Sequence, residues 1–179
     1  MAASSKTSSL IFSSASNTSE NHSENSMKNT AYGFLQRAGA FENPSEGFER
    51  KGLISEMMKD LLKVDRIERG RIVCHLTVIT RVTNPYGTLH GGVVATVANL
   101  VAMACARTVV NEDKELLLGE LNISYLSASG INVELEIDGR IIRSGRNVTT
   151  TSVEFRVKGT KKLVYTANAI FFTAPVAKL

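Results

Sequence analysis

The chain reads as one α+β domain in which a single long apolar helix is enclosed by a curved antiparallel sheet. Three observations predict this. One segment, from His90 to about Val110, is both long and rich in Val, Ala, Leu and Met, with no Asp, Glu, Lys or Arg before Arg107. A helix apolar nearly all round must be wrapped by other structure. Two strand-like runs precede it and four follow. Those runs are separated by short polar or glycine-containing turns, the pattern of hairpins rather than of crossover helices.

Length and composition set the frame. The 179 residues suit one domain with a tail, and 43% apolar content is ordinary for a globular chain. With no tryptophan and 7 phenylalanines, the core must be largely aliphatic. Residues 1–30 are rich in Ser, Asn, Thr and Ala and are expected to be a disordered tail, because such a segment buries little apolar surface. Leu10-Ile11-Phe12 is too short for a secretory core or a membrane span. The Ser-rich tail is compatible with a plastid transit peptide, but its single lysine and lack of arginine before Glu20 count against that. The domain is expected over 31–176.

Within it, Ile54, Met57, Met58, Leu61 and Leu62 fall at helical spacing, predicting a short helix over part of 46–60. Leu62 to Ile67 reads as a strand, Glu68 to Arg71 as a turn. Cys74, Leu76 and Val78 then alternate with His75 and Thr77, a half-buried strand that leaves His75 outward. After the central helix, Asn111 to Lys114 is a polar break. Leu116 to Ser127 is the third strand. Val133, Leu135 and Ile137 alternate with acidic residues in the fourth, and Val153, Phe155 and Val157 alternate with polar ones in the fifth. Leu163 to Thr173 closes the sheet after the turn at Gly159-Thr160-Lys161-Lys162. Such a sheet has open edges, and pairing two copies covers them, so a homodimer or a dimer of dimers is expected.

The net charge of +4 comes without a dense basic run, which argues against nucleic acid as a partner. Cys74 and Cys105 lie in apolar runs and read as buried thiols. Three scattered histidines give no metal set.

The chemistry concentrates where Asn84-Pro85-Tyr86-Gly87-Thr88-Leu89-His90-Gly91-Gly92 runs into the helix. Amides of a helix's first turn lack partners within the helix and carry partial positive charge. Glycine lets a ligand come close to that backbone. The junction therefore reads as a site for a carbonyl or oxyanion. Asn84-Pro85 is also a turn signal, and His90 also stands where a helix is capped.

This order of elements, with Asn84, Gly87, His90-Gly91-Gly92 and the strand Asn122-Ile123-Ser124-Tyr125-Leu126-Ser127, resembles the hotdog-fold acyl-CoA thioesterases of the small PaaI-like kind, over roughly 45–175. The resemblance implies hydrolysis of acyl-CoA or aryl-CoA to free acid and coenzyme A, with no cofactor beyond the substrate's own coenzyme A. It places the carbonyl-polarising amide at Gly92, close approach at Gly91, and site-lining roles at Asn84 and His90. Members of that family usually carry an Asp or Glu seven residues after the second glycine, on the helix face that looks at the partner subunit's site. Here the position holds Asn99, which can hold a water but cannot take its proton. A strand position often Ser or Thr in relatives is Leu118. Glu120, two residues on and so expected on the same face, is the candidate replacement base. The basic turn Arg143-Ser144-Gly145-Arg146 is the candidate contact for the nucleotide of coenzyme A, with Lys161-Lys162 a second cationic turn.

Ala177-Lys178-Leu179 is close to the Ser-Lys-Leu peroxisome address. It suggests a plant-like peroxisomal type with the import receptor as a partner, plastid or cytoplasm being the alternatives, and a place in lipid metabolism. Two rival readings stand beside the hydrolase. Asn99 and Leu118 favour a non-catalytic acyl-CoA or fatty-acid binding protein. A hotdog enoyl-CoA hydratase would need an acidic residue just before the loop, where Arg81-Val82-Thr83 supplies none.

Overall fold

The computed structural model describes residues 25–35, 57–59 and 61–175. Six strands, β1 (Leu62–Glu68), β2 (Arg71–Thr77), β3 (Lys114–Tyr125), β4 (Glu134–Ser144), β5 (Val148–Val157) and β6 (Leu163–Pro175), form one antiparallel sheet in the order β1-β2-β4-β5-β6-β3. The helix α1 (Gly91–Arg107) enters between β2 and β3 and lies across the sheet. Two strands precede the helix and four follow, as the patterning predicts. β4 and β5 are longer than expected: polar Arg140, Arg143, Thr149 and Thr151 sit in them, held by cross-strand pairing rather than by apolar alternation.

The helix has a heavily buried surface, including Val94, Val97, Ala98, Val101, Ala102 and Cys105. It faces Ile72, Cys74 and Leu76 of β2, Ile137 of β4, Phe155 of β5 and Phe171 of β6. Small residues let it settle low. At Gly139 of β4, an added Cβ would stand 2.7 Å from Val101 Cγ1, so helix and sheet touch through a position with no side chain. Register shifts at Val64/Arg66, Leu118/Glu120, Ile141/Arg143 and Phe155/Arg156 mark bulges. Bulges bend strands and sharpen twist, which is how a flat ladder curls round a helix.

Residues 25–35 are helical, with Ala31 and Leu35 buried in the core and the Thr30 hydroxyl donating to the Glu112 carboxylate. The expected tail boundary at residue 30 falls inside this helix; the earlier part of that tail lies outside the described residues. So do residues 46–56 and 60 of the predicted short helix; 57–59 within it and 61 just beyond it are helical, with Met58 and Leu61 buried. The tripeptide at 177–179 is likewise outside them. Among the described residues no helix is long and apolar enough to cross a membrane.

The outer face carries a charged lattice. Asp138 accepts from Arg71 Nε and Nη2 at 3.0 and 2.8 Å and from Arg140 Nη2 at 2.8 Å. Burial alone would raise the Asp138 pKa, but hydrogen bonds from Arg71 and Arg140 outweigh it and hold it below the usual carboxylate value. Both cysteines are buried, and burial pushes each thiol up to about 12. They are neutral packing residues.

Candidate functional site

The loop before α1 is built by Asn84. Its Oδ1 accepts from the Tyr86 amide at 3.0 Å and the Thr88 amide at 3.2 Å, and its Nδ2 donates to Thr88 Oγ1 at 2.9 Å. Gly87 takes φ 71°, a left-handed turn position that favours glycine. The loop is then tied down by Leu89 N to Ser129 O at 2.8 Å and His90 N to Val82 O at 2.9 Å. Asn84 thus does the work of a turn residue, and most of its hydrogen-bonding capacity is spent inside the loop.

His90 is the N-cap of α1, and its Nδ1 accepts from the Gly92 amide at 3.0 Å. The amides of Val93 and Val94 both reach the His90 carbonyl, at 2.9 and 3.2 Å. Of the first-turn donors, only the Gly91 N–H has no partner among the described residues. The sequence reading placed the carbonyl-polarising amide at Gly92. That amide is occupied by the cap, and the donor left for a ligand is one residue earlier. An Nδ1 that accepts also leaves the ring proton on Nε2, so His90 presents a donor outward.

Gly91 borders a pocket of about 490 Å³ lined by Asn84, Thr88, Leu89, Tyr125, Leu126 and Tyr165, together with Ser127 and Ala128. Tyr125 Oη donates to Gly91 O at 3.0 Å. Lys162 Nζ donates to Ser127 Oγ at 3.1 Å, setting a cation beside that lining. Tyr125, Tyr165 and Thr88 were not named as site residues from sequence. They arrive through sheet pairing and loop closure, for which no local pattern is a signal.

Asn99 lies on α1 with its Oδ1 sealed from solvent and accepting no hydrogen bond. Glu120 requires a correction. The bulge at Gly119 pairs Leu118 with Phe171 but Glu120 with Ile170. Phe171 points into the core and is fully buried, so Leu118 shares the helix side of the sheet, while Glu120 lies on the outer side. One extra residue has reversed the alternation on which the expectation rested. Glu120 is not beside the Leu118 position.

The turn of Arg143, Ser144, Gly145 and Arg146 also stands apart from the junction. Thr173, the partner of Leu116, donates through Oγ1 to Arg146 O, so this turn sits at the Leu116 end of the sheet. His90 and Gly91 sit at the Tyr125 end. At ~3.3 Å per residue along β3, the two ends are about 30 Å apart. Within one chain the structure does not bring them together.

A helix start with one open amide, a donor histidine and an adjoining pocket is an arrangement that can accept a polarised carbonyl. Residues 86–164 match the model of the thioesterase superfamily. Acyl-coenzyme A thioesterase 13 of Homo sapiens is 29% identical over 124 residues, covering 62% of this chain and 87% of that protein. A putative esterase of Caenorhabditis elegans is 32% identical over 109 residues, covering 61% of this chain and 63% of that protein, a little under two thirds of its length. The crystal structure of zebra fish thioesterase superfamily member 2 shares the fold, with TM-score 0.67 and 21% identity over 82% of this chain and 97% of that one. The sheet and helix of this chain are the hotdog fold.

Proposed function

We propose that the protein hydrolyses acyl-CoA or aryl-CoA thioesters to the free acid and coenzyme A. The observation that carries this is the Gly91 amide, the single open donor at the N-terminus of a buried helix, beside the outward Nε2–H of His90. Water adds to the thioester carbonyl, the tetrahedral oxyanion is held by the Gly91 amide, and collapse breaks the carbon–sulfur bond. Coenzyme A leaves as thiolate, with the His90 Nε2–H placed as donor to the departing or oxyanionic centre. The substrate itself carries the coenzyme A, and no other cofactor enters these steps.

The attacking water is assigned to Asn99 across a subunit interface, because within one chain Asn99 stands about 12 Å along α1 from Gly91. An amide orients water without deprotonating it. Because a positioned general base contributes roughly 10²–10⁴-fold, the turnover is expected to be slow for this chemistry.

The working unit is proposed to be a homodimer, or a dimer of dimers, joined at β3. This strand is a sheet edge and bears exposed Leu117 and Leu118. Antiparallel pairing of two β3 edges would carry one copy's Leu116 end towards the other's Tyr125 end. The turn of Arg143 and Arg146 would then lie on the same side of the assembly as the opposite copy's Gly91, available for coenzyme A phosphates. The peroxisomal address and its import receptor remain the proposal for location.

Asn99 and Leu118 support a second reading, a protein that binds acyl-CoA without cleaving it. A panel of acyl-CoA and aryl-CoA thioesters, followed by free-thiol release and by direct binding, separates the two. Release identifies the hydrolase and its acyl class; binding without release identifies the binder.

A further inference from the structure

We infer that Tyr125 orients the Gly91 amide through its hydroxyl and shapes the acyl pocket through its ring. The inference rests on the reading of Gly91 as the carbonyl's donor.

Tyr125 is the last residue of β3, on an edge strand, and is half exposed. Its ring nevertheless has a fixed seat. It meets Tyr165 edge-on, with centroids 5.9 Å apart and planes at 70°, and Tyr165 meets Phe155 edge-on at 5.7 Å and 80°. Tyr165 and Phe155 are both buried. Two core rings thus anchor one at the surface, in the offset geometry that aromatic quadrupoles favour.

From that seat Tyr125 reaches the first residue of α1. Its hydroxyl donates to Gly91 O at 3.0 Å, and a Cβ on Gly91 would stand 3.5 Å from the ring's Cε1. Glycine has the loosest backbone of any residue. The open N–H lies in the His90–Gly91 peptide and the carbonyl in the Gly91–Gly92 peptide, so the hydroxyl acts on the N–H through the Gly91 torsions that join the two planes. The His90 carbonyl is held by the Val93 and Val94 amides and the Gly91 carbonyl by Tyr125, so both peptide planes that meet at Gly91 are restrained. A preorganised donor matters because it needs no reorganisation when charge develops.

The same ring lines the pocket with Leu89, Leu126 and Tyr165. An acyl group whose carbonyl meets the Gly91 N–H has this apolar wall beside it. Hydroxyl and ring thereby act separately, one on turnover and the other on acyl selection, which a purely structural end-of-strand tyrosine would not do.

The experiment is steady-state kinetics of the full chain with straight-chain acyl-CoA substrates from acetyl to palmitoyl and with phenylacetyl-CoA. It compares wild type, Tyr125→Phe and Tyr125→Ala, with Tyr125→Leu replacing Ala if that variant does not fold. Tyr125→Phe is expected to lower kcat about tenfold at unchanged KM, since misorienting a donor should cost less than deleting one, and to keep the wild-type order of substrates. Removing the ring is expected to shift the preference to longer or bulkier acyl groups. Wild-type kcat in Tyr125→Phe, or an unshifted preference without the ring, overturns the inference. If wild type cleaves none of the substrates, the hydrolase reading fails separately. Binding of non-hydrolysable methylene-ketone analogues of the same acyl-CoA series then decides. An altered chain-length dependence without the ring supports the inference; the same chain-length dependence in all variants overturns it.

Discussion

His90 Nδ1 accepts from the Gly92 amide at 3.0 Å, and this one bond decides which backbone donor the helix can offer a ligand. A side-chain cap satisfies the second amide and leaves the first. Losing such a cap typically costs about 0.5–2 kcal/mol. His90→Ala should therefore lower the unfolding free energy by about 1 kcal/mol, whereas His90→Asn, itself a good cap, should restore most of it. Denaturant unfolding of the two variants checks this. Equal loss in both would mean that the contact contributes nothing as a cap.

The resemblance to the hotdog thioesterases places a carboxylate where this chain has Asn99, and an amide lacks its basicity. Asn99→Asp should raise kcat by about tenfold or more, given what a positioned base contributes. The gain should grow with pH through the range where the new carboxyl ionises. A kcat–pH comparison with wild type checks it, and a flat or reduced kcat would remove Asn99 from the water's neighbourhood.

Because the Gly119 bulge turns Glu120 to the outer face, Glu120→Gln should leave kcat and KM within about twofold of wild type, whereas loss of a working base costs 10²-fold or more. A large fall in kcat would restore Glu120 as a base, reached in some way other than along its own strand.

Gly139 permits the helix to touch the sheet. Gly139→Ala drives a methyl to 2.7 Å from Val101 Cγ1. Overpacking of this kind costs about 1–3 kcal/mol, and thermal unfolding should show a correspondingly lower Tm. An unchanged Tm would mean that α1 lifts freely from β4.

Asp138 links stability to acid. Its buried carboxyl is held below the ordinary pKa because Arg71 and Arg140 outweigh the effect of burial. A group with a lowered folded pKa stabilises the protein above its unfolded pKa, and that contribution disappears as pH falls through the folded value. Asp138→Asn should thus be destabilised at neutral pH by about 1 kcal/mol, a modest figure because both arginines are partly exposed to solvent. The gap from wild type should close in acid. A gap independent of pH would assign the effect to packing.

The architecture was legible because each strand beyond the helix bears its own alternation and turn, and because α1 is too apolar to lie on a surface. The loop-to-helix junction of Asn84, His90 and Gly91 was legible as local structure for a related reason: it is contiguous in sequence. What was not legible depends on distant partners. The cap that moves the open amide from Gly92 to Gly91 is a matter of rotamer. The bulge that sends Glu120 outward is one residue in a strand whose Leu116-to-Ser127 pattern gives no break to mark it. Tyr125 reaches Gly91 across 34 residues, through β3 and its pairing with β6. Arg143 and Arg146 carry the charge expected for coenzyme A, but their end of the sheet is fixed by hairpin topology.

The central claim is that the junction of His90 and Gly91 cleaves a thioester. Its most direct test is free-thiol release from the acyl-CoA and aryl-CoA panel, with His90→Ala as control and folding verified by circular dichroism. The account predicts slow but measurable release from at least one substrate, reduced by about 10²-fold in His90→Ala, the scale of losing a donor to the developing charge. Release unaffected by the substitution, or no release from substrates that nevertheless bind, would contradict it.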